Sequence, residues 1–406
     1  MPLSSFRRDV VSLLLIVLFL SNADGQTPDT PAPSGPVKFH PLNLQPKANQ
    51  KRADDFHQDN LPGNNLLDLA SGQHRLLGIP YQVGDGVLQL GSSGVVKNKP
   101  AKIDGIKVGA KFARLRILHA TAYSYEEEEV VIGSYTVRYG DGATRIIPIV
   151  NRKDVDGWWK RRGAPEPKNA KIAWEGTNDR VAGIGGSIRL FASTWENPRP
   201  DAAAASIDFA SNMTKCAPFC VAITAEIPLT ARAAAGPLSV DDLETLWKQL
   251  ADDGDKAFDA IETLAGSPKQ TIPFLARRMN AAEAAALDKR IGDLVSRLDD
   301  ENFRVREKAT QELEKHGLEA PPILRRALDD KTSPEARRRI DRVLEKLKSA
   351  KHTSDQKRSL GALLVFELSA TAGAIETLEE AAKGRAGAWL AGEAQGSLLR
   401  MRKMKA

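Results

Sequence analysis

The hydrophobic pattern of this chain changes once, near residue 230, and that change limits the folds open to it. Before this point, short apolar runs alternate with polar residues and end at Gly, Pro or Asp, as β-strands do. After it, Ala, Leu, Glu, Lys and Arg dominate and apolar residues recur at helical spacing. We therefore predict a multidomain β plus α fold, with a β domain over residues 55–230, a linker over 231–238 and a helical domain over 239–406.

The N-terminal residues predict export. Arg7 and Arg8 precede an apolar run over residues 10–20, and Ala23 supplies a small residue before a cleavage point. Because this run is too short to cross a bilayer comfortably, we predict a signal peptide over 1–23, with an uncleaved anchor as the alternative. After its cleavage we predict no integral membrane segment and a secreted or periplasmic location. Residues 24–54 are rich in Pro, Thr, Asn and Lys and are predicted to form a disordered tether.

Nine segments of the β domain have the composition and alternation of strands. Within residues 135–149, the Gly140-Asp141-Gly142 sequence supplies the positive φ angles that a tight hairpin needs. Eight or nine short strands without a helical pattern between them favour a two-sheet β-sandwich, specifically a jelly roll. The nine segments are "GVLQL", "AKIDGIKV", "ARLRILHAT", "GSYTVRY", "TRIIPIV", "KIAWEG", "SIRLFAST", "ASIDF" and "FCVAITAE".

The helical half shows start signals and an internal repeat. A helix-forming region begins at Ser239 and Asp241, and Ser333 is placed as a helix N-cap followed by a proline at the first helical position. A segment containing Leu250 aligns with a second one, 48 residues further on, that contains Leu298. A period in the forties built from helix pairs is typical of an α-solenoid of HEAT-like repeats.

The charge distribution argues against nucleic-acid binding. The net charge is +6 and the pI about 9.1, but the basic residues are spread thinly. Binding to a phosphate backbone needs positive charge concentrated on one face. We therefore predict no nucleic-acid partner.

Two families resemble parts of this chain. The segments "DDENFRVREKATQELEKHG", "SPEARRRIDRVLEKL" and "AIETLEEAAKG" resemble HEAT repeats. The segments "LLDLA", "LLGIPYQV", "LQLGSS", "KIDGIKVGAKFARLRILHATAY", "YTVRYGDG" and "VDGWW" are similar to galactose-binding-like jelly rolls, especially the carbohydrate-binding modules called NPCBM of bacterial secreted proteins. The second resemblance implies a glycan ligand, and the first implies a scaffold for a protein partner.

The candidate ligand-binding residues are aromatic. Trp158 and Trp159 are adjacent, so on a strand one should enter the core while the other faces solvent or a groove, where it could stack on a sugar ring. Asp156 lies near these tryptophans in sequence and could form hydrogen bonds with the hydroxyls of the same sugar. Tyr123 and Tyr125 would share a face if their segment is extended. For each, packing under a loop or in the core is the alternative.

The remaining polar motifs do not define a catalytic or metal site. The run of carboxylates at residues 126–129 is predicted to be a solvated loop tip, with a calcium site or catalytic carboxylates as alternatives. Cys216 and Cys220 are either a disulfide across a bend at Pro218 or two separate thiols. No nucleophile elbow, zinc-protease motif or P-loop occurs in the sequence. We therefore predict no cofactor and no metal.

We thus predict a secreted, non-enzymatic protein that joins a glycan-binding jelly roll to a helical protein-interaction scaffold. A purely structural or protein-interaction role is the alternative, and an unrecognised hydrolase is a third. A separate prediction concerns Trp195, which ends a strand just before "ENPRP". Since Pro198 and Pro200 cannot continue a sheet ladder, this segment should cross to the other sheet, with Trp195 buried beneath it.

Overall fold

The structure is a computed structural model that separates into a sheet unit and a helical unit. It describes residues 35–56, 62–94, 96–124, 129–160, 166–232, 234, 236–252, 254–279, 281–329, 332–348 and 350–405. The sheet unit comprises Val37–Pro228, and the helical unit begins at Leu229. The coarse prediction of a β region followed by a helical region is confirmed.

Fourteen strands occur in the described part of the sheet unit. They are β1 Val37–Pro41, β2 Gln50–Lys51, β3 Gly72–Leu76, β4 Ile79–Val83, β5 Gly86–Gln89, β6 Lys102–Ala110, β7 Arg114–Ala122, β8 Val131–Tyr139, β9 Thr144–Val150, β10 Trp159–Lys160, β11 Ala170–Gly176, β12 Ser187–Glu196, β13 Ala204–Ser211 and β14 Ala217–Pro228. Each of the nine segments predicted as strands coincides with one of them.

The strands form two main sheets that share one core. The larger sheet has the order β10-β12-β7-β14-β5-β2, with β1 added on β14 and β11 on β12, and the smaller has the order β6-β13-β8-β9. Buried residues of both sheets, including Leu115 and Ile223 of the larger and Tyr135 and Ile207 of the smaller, form one apolar cluster. The arrangement is therefore sandwich-like, while β3 and β4 form a separate hairpin.

The predicted hairpin between β8 and β9 is confirmed. Tyr139 N donates to Ala143 O at 2.9 Å, and Gly142 has a φ of +86°, which a side chain would disfavour. Tyr135, Val137 and Tyr139, which alternate along β8, are buried in the core. The local sequence therefore sets both the turn and the register of this pair.

The predicted tether is wrong for the residues from Val37 onward. Val37–Pro41 pairs antiparallel with the end of β14, and Leu42 N donates to Ile223 O at 2.8 Å. Leu42 and Leu44 are buried in the sandwich core. A few apolar residues were enough to anchor the segment, because the edge of β14 offers backbone partners that composition does not reveal. The predicted signal peptide and residues 24–34 lie outside the described residues.

The chain crosses between the sheets where the prolines predicted it. β12 belongs to the larger sheet and β13 to the smaller one, so residues 197–203 form the crossover. Asn197 is buried and donates to Phe112 O at 2.8 Å. Trp195 packs against the core, with its ring centroid 6.3 Å from that of Phe112, but it is half-buried rather than largely buried. Trp195 and Asn197 therefore both contact Phe112 where the crossover begins.

Three titratable side chains, those of His119, Cys216 and Cys220, lie in the interior of the sandwich. His119 is buried between Tyr135 Oη at 3.2 Å and Ser193 Oγ at 2.9 Å, and burial lowers its pKa to about 3, so the ring is neutral. Cys216 and Cys220 are both buried and are separate thiols, which was one of the two predicted alternatives. Burial raises the pKa of Cys220 to about 12. These groups act as packed interior side chains.

Eleven α-helices occur among the described residues, the first of them in the sheet unit. They are α1 Asp179–Ala182, α2 Val240–Gln249, α3 Asp255–Ala265, α4 Pro268–Arg278, α5 Ala281–Ser296, α6 Phe303–Lys315, α7 Ala320–Arg326, α8 Pro334–Leu347, α9 Ser354–Ser369, α10 Ala372–Glu380 and α11 Ala388–Lys405. No described helix combines the length and the apolar character that a bilayer crossing requires.

The predicted helix starts occur in the helical unit. Ser239 forms a capping box with Asp242, and Ser333 Oγ accepts from Ala336 N at 3.1 Å. Leu250 and Leu298, which align in the repeat, are both fully buried. They belong to two apolar clusters, one built mainly on α3, α4, α9 and α11 and the other on α5 to α8.

Candidate functional site

Trp158 is not available to a ligand. Its side chain is only 3% exposed and packs with its ring centroid 5.3 Å from Phe56 and 5.7 Å from Phe219. One of the two adjacent tryptophans therefore enters the core, as the alternation of a strand predicts. The assignment of Trp158 to a ligand site is corrected, because its ring is covered by two phenylalanines.

Asp156 is likewise engaged inside the protein. Its Oδ1 accepts hydrogen bonds from Ser124 Oγ and Gly157 N, both at 2.7 Å, and its Oδ2 binds the Arg189 guanidinium at 2.7 Å. The side chain of Arg189 is 2% exposed. Since both carboxylate oxygens are occupied, Asp156 serves to neutralise a buried arginine rather than to bind hydroxyls.

The tyrosine and carboxylate candidates lie beside a gap in the description. Tyr123 follows β7 with a φ of +55°, so the chain is not extended at this residue. Tyr125 and residues 126–128 lie outside the described residues. Glu129 binds Lys168 Nζ at 3.0 Å, and this hydrogen bond lowers the pKa of Glu129.

Trp159 holds a loop in place. Its side chain is half-buried, and its Nε1 donates to Asn64 Oδ1 at 3.0 Å. Asn178, the N-cap of α1, donates to Asn65 O at 3.0 Å and accepts from Val181 N at 2.9 Å. Trp159 thus helps to fasten the segment 62–70 beside α1, and this segment carries the most promising acidic group of the unit.

That group is Asp68, which meets Trp174 at the end of β11. A Cβ atom at Gly176 would lie 2.3 Å from Trp174 Cζ2 and 2.4 Å from Asp68 Oδ2, so the indole edge and the carboxylate both rest directly against this glycine. Thr177 N donates to Asp68 Oδ2 at 2.8 Å and fixes the carboxylate there. We call Asp68, Trp174, Gly176 and Thr177 the Trp174–Asp68 corner.

The backbone of β11 creates this corner. The pairing of β11 with β12 shifts register between Ile172 and Trp174, a bulge that re-aims the following side chains. Gly176 then leaves room above the strand, because any side chain would collide with both the ring and the carboxylate. Trp174 is half-buried and Asp68 is exposed, so the corner can be reached from solvent.

A salt-bridged surface adjoins the corner. Lys160 Nζ lies 2.8 Å and 3.0 Å from the two carboxylate oxygens of Glu175, and Ser187 Oγ donates to Glu175 Oε1 at 2.9 Å. The hydrogen bond from Lys160 lowers the pKa of Glu175. Lys160 is therefore already paired with the carboxylate of Glu175.

Sequence reasoning did not single out either residue that forms the corner. Trp174 was part of a predicted strand, and Asp68 was part of a motif quoted for a family resemblance. The signal that could have pointed to Trp174 is the glycine two residues after it at the strand end, because a glycine there often marks the close approach of another group. The partner of that glycine could not be predicted, since Asp68 lies more than a hundred residues earlier.

The corner combines an apolar ring surface with hydrogen-bond acceptors. An indole face packs against the C–H face of a pyranose, and a carboxylate accepts hydrogen bonds from its hydroxyls. Within the described residues, no group of three or more His, Cys, Asp or Glu side chains is placed to hold a metal ion. Comparison with family models, curated proteins and solved structures gives no match.

Proposed function

We propose that the sheet unit is a non-catalytic glycan-binding module that uses the Trp174–Asp68 corner. The observation that carries this proposal is the placement of an indole and an exposed carboxylate against the same glycine. Stacking gives affinity for the sugar ring, and the carboxylate orients its hydroxyls. Trp159 and Asn64 are positioning residues, because they fasten the loop that carries Asp68.

The finer architecture belongs to the same proposal. The sandwich-like sheets are a galactose-binding-like jelly roll, and the helical unit is a HEAT-like α-solenoid. The resemblance of the quoted motifs and the buried, repeated leucines Leu250 and Leu298 support this assignment. An N-terminal signal peptide would place the protein outside the cytoplasm, where extracellular glycans occur.

Glycan binding is tested with variants of the corner in the full chain. A glycan that binds the parent protein is first identified on an array. We expect Trp174→Ala and Asp68→Ala each to weaken binding of this glycan by about tenfold or more, because the first removes the indole contact and the second the carboxylate contact. Gly176→Ala should also weaken binding, since its methyl group displaces both side chains. Affinity is measured by isothermal titration calorimetry.

Trp195→Ala is the matched control for these variants. Trp195 is also a half-buried tryptophan of the sheet unit, but it lies at the other end of β12 from Ile188, which pairs with Gly176. Its replacement should lower the melting temperature and leave glycan affinity unchanged. The proposal would be refuted if no glycan on a broad array bound the parent protein, or if the corner variants bound as tightly as the parent.

A second candidate function, a scaffold for a protein partner, is favoured by one surface of the helical unit. Phe303, at the start of α6, is 60% exposed, with the guanidinium carbons of Arg306 and Arg339 5.7 Å and 5.6 Å from its ring centroid. Arg339 is itself fixed by Glu335 at 2.7 Å. An aromatic side chain held in place by arginines is typical of an interface anchor.

Partner binding through Phe303 is tested in pull-downs with the full chain. We expect Phe303→Ala to abolish capture of any specific partner while glycan affinity stays at the parental value. Val240→Ala, which removes another exposed apolar side chain of the helical unit, serves as the control and should retain capture. Equal capture by the Phe303 variant and the parent would rule out this surface.

A further inference from the structure

The charge around the Trp174–Asp68 corner bears on which sugar it takes. Asp68 is exposed, and its Oδ2 accepts a hydrogen bond from Thr177 N. Glu175 follows Trp174 directly, and the nearby ammonium group of Lys160 is bonded to both of its oxygens. The corner therefore presents a negative charge beside an aromatic ring, with the adjacent lysine already paired.

An exposed carboxylate next to an indole is a site for a cation. The negative face of an indole attracts a cation placed over it, and a carboxylate at the ring edge adds a direct ion pair. An ammonium group paired with Asp68 would lie close to the Trp174 ring, because the ring edge and the carboxylate both approach Gly176. A ligand carboxylate at the same place would be repelled by Asp68.

We propose that the corner recognises a hexosamine that carries a free ammonium group. This inference rests on the proposed glycan-binding function and makes it more specific. The C–H face of the sugar ring lies on Trp174, and the ammonium group is bound by the Asp68 carboxylate. N-acetylation of the amine removes the positive charge, and a uronic acid reverses it, so both sugars bind more weakly.

The test compares three oligosaccharides of equal length on the full chain. The probes are oligomers of glucosamine, of N-acetylglucosamine and of a uronic acid, titrated at a mildly acidic pH at which the amine is protonated. We expect the glucosamine oligomer to bind about tenfold more tightly than the acetylated one, and the uronic acid oligomer to bind least.

Asp68→Asn separates charge recognition from folding and from stacking. This variant keeps the size and an acceptor oxygen, so we expect it to retain binding of the acetylated oligomer and to lose the preference for the free amine. Asp85→Asn, an exposed aspartate elsewhere in the sheet unit, should keep the parental preference. Raising the salt concentration should reduce the preference in the parent only, because screening weakens exposed ion pairs.

The outcomes distinguish the two proposals. Equal binding of the free and acetylated oligomers, or a preference that persists in Asp68→Asn, would overturn the hexosamine inference while leaving glycan binding intact. Tighter binding of the uronic acid oligomer would overturn it as well. Absence of binding by all three oligomers and by the wider glycan array would overturn the glycan-binding function itself, and this inference with it.

Discussion

Replacing Asp156 by alanine is expected to destabilise the sheet unit by about 3–5 kcal/mol, because it leaves the Arg189 guanidinium buried without a counter-charge. The side chain of Arg189 is 2% exposed, and its ion pair with Asp156 is 2.7 Å long. Arg189 Nε would keep its hydrogen bond to Gly157 O at 3.2 Å, but a neutral carbonyl does not replace the lost carboxylate. Chemical denaturation followed by tryptophan fluorescence measures the effect.

Two further variants show whether the stability lost in Asp156→Ala is lost because the charge of Arg189 is left unpaired. Asp85→Ala removes an aspartate that is 90% exposed and lies 3.7 Å from Arg52, and it should cost less than about 1 kcal/mol. The double variant Asp156→Ala with Arg189→Leu removes both charges and should recover part of the stability that the single variant loses. If Asp156→Ala unfolded at the parental denaturant concentration but lost glycan affinity, Asp156 would be a ligand residue after all.

The second large effect concerns the pH dependence of the helical unit. Glu393 lies on α11 and is 7% exposed, one turn before Ser397 and two turns before Arg400. The guanidinium of Arg400 is already bonded to Glu367 on α9, at 3.0 Å and 2.8 Å. Burial raises the pKa of Glu393 from 4.5 to about 7, and this effect outweighs the opposing attraction of the Arg400 guanidinium.

The direction of the pH effect follows from this raised pKa. Because the folded protein holds the proton of Glu393 more tightly than the unfolded chain does, stability is lost as the pH rises from about 4.5 to about 7 and then levels off. Glu393→Gln, which cannot ionise, should therefore match the parent near pH 4 and exceed its stability by about 3 kcal/mol at pH 8. Urea unfolding followed by helical circular dichroism measures the difference.

An exposed glutamate provides the control for Glu393. Glu379→Gln lies on the surface of α10 and should shift stability little at either pH. Burial also raises the pKa of Glu319, so the stability of the variant is compared with that of the parent at each pH. The same stability difference at pH 4 and pH 8 would contradict the assignment of the effect to ionisation of Glu393.

The strands of the sandwich were predictable because their signals are local. Alternation of apolar and polar residues fixes which side chains face the core, and Gly140 to Gly142 supply the turn between β8 and β9. The helix starts at Ser239 and Ser333 are equally local, since an N-cap bonds to an amide three residues away. None of these features requires knowledge of a distant part of the chain.

The parts that escaped prediction depend on contacts between distant segments. β1 is a strand because the edge of β14 is open to it, and composition gave no sign of that partner. The role of Asp156 depends on Arg189, 33 positions later, and the Trp174–Asp68 corner depends on a loop that precedes β11 by about a hundred residues. The sequence pointed to tryptophans and carboxylates as candidates but could not show which of them meet in the fold.

The two buried thiols give the sheet unit an internal reporter. Cys216 and Cys220 are the chain's two cysteines, and both lie in or beside β14, inside the sandwich. A thiol reagent in solution can reach them when that sheet opens, and burial keeps the Cys220 thiol protonated and slow to react. The rate of thiol labelling therefore follows opening of the sandwich separately from any unfolding of the helices, and no cysteine has to be introduced by mutation.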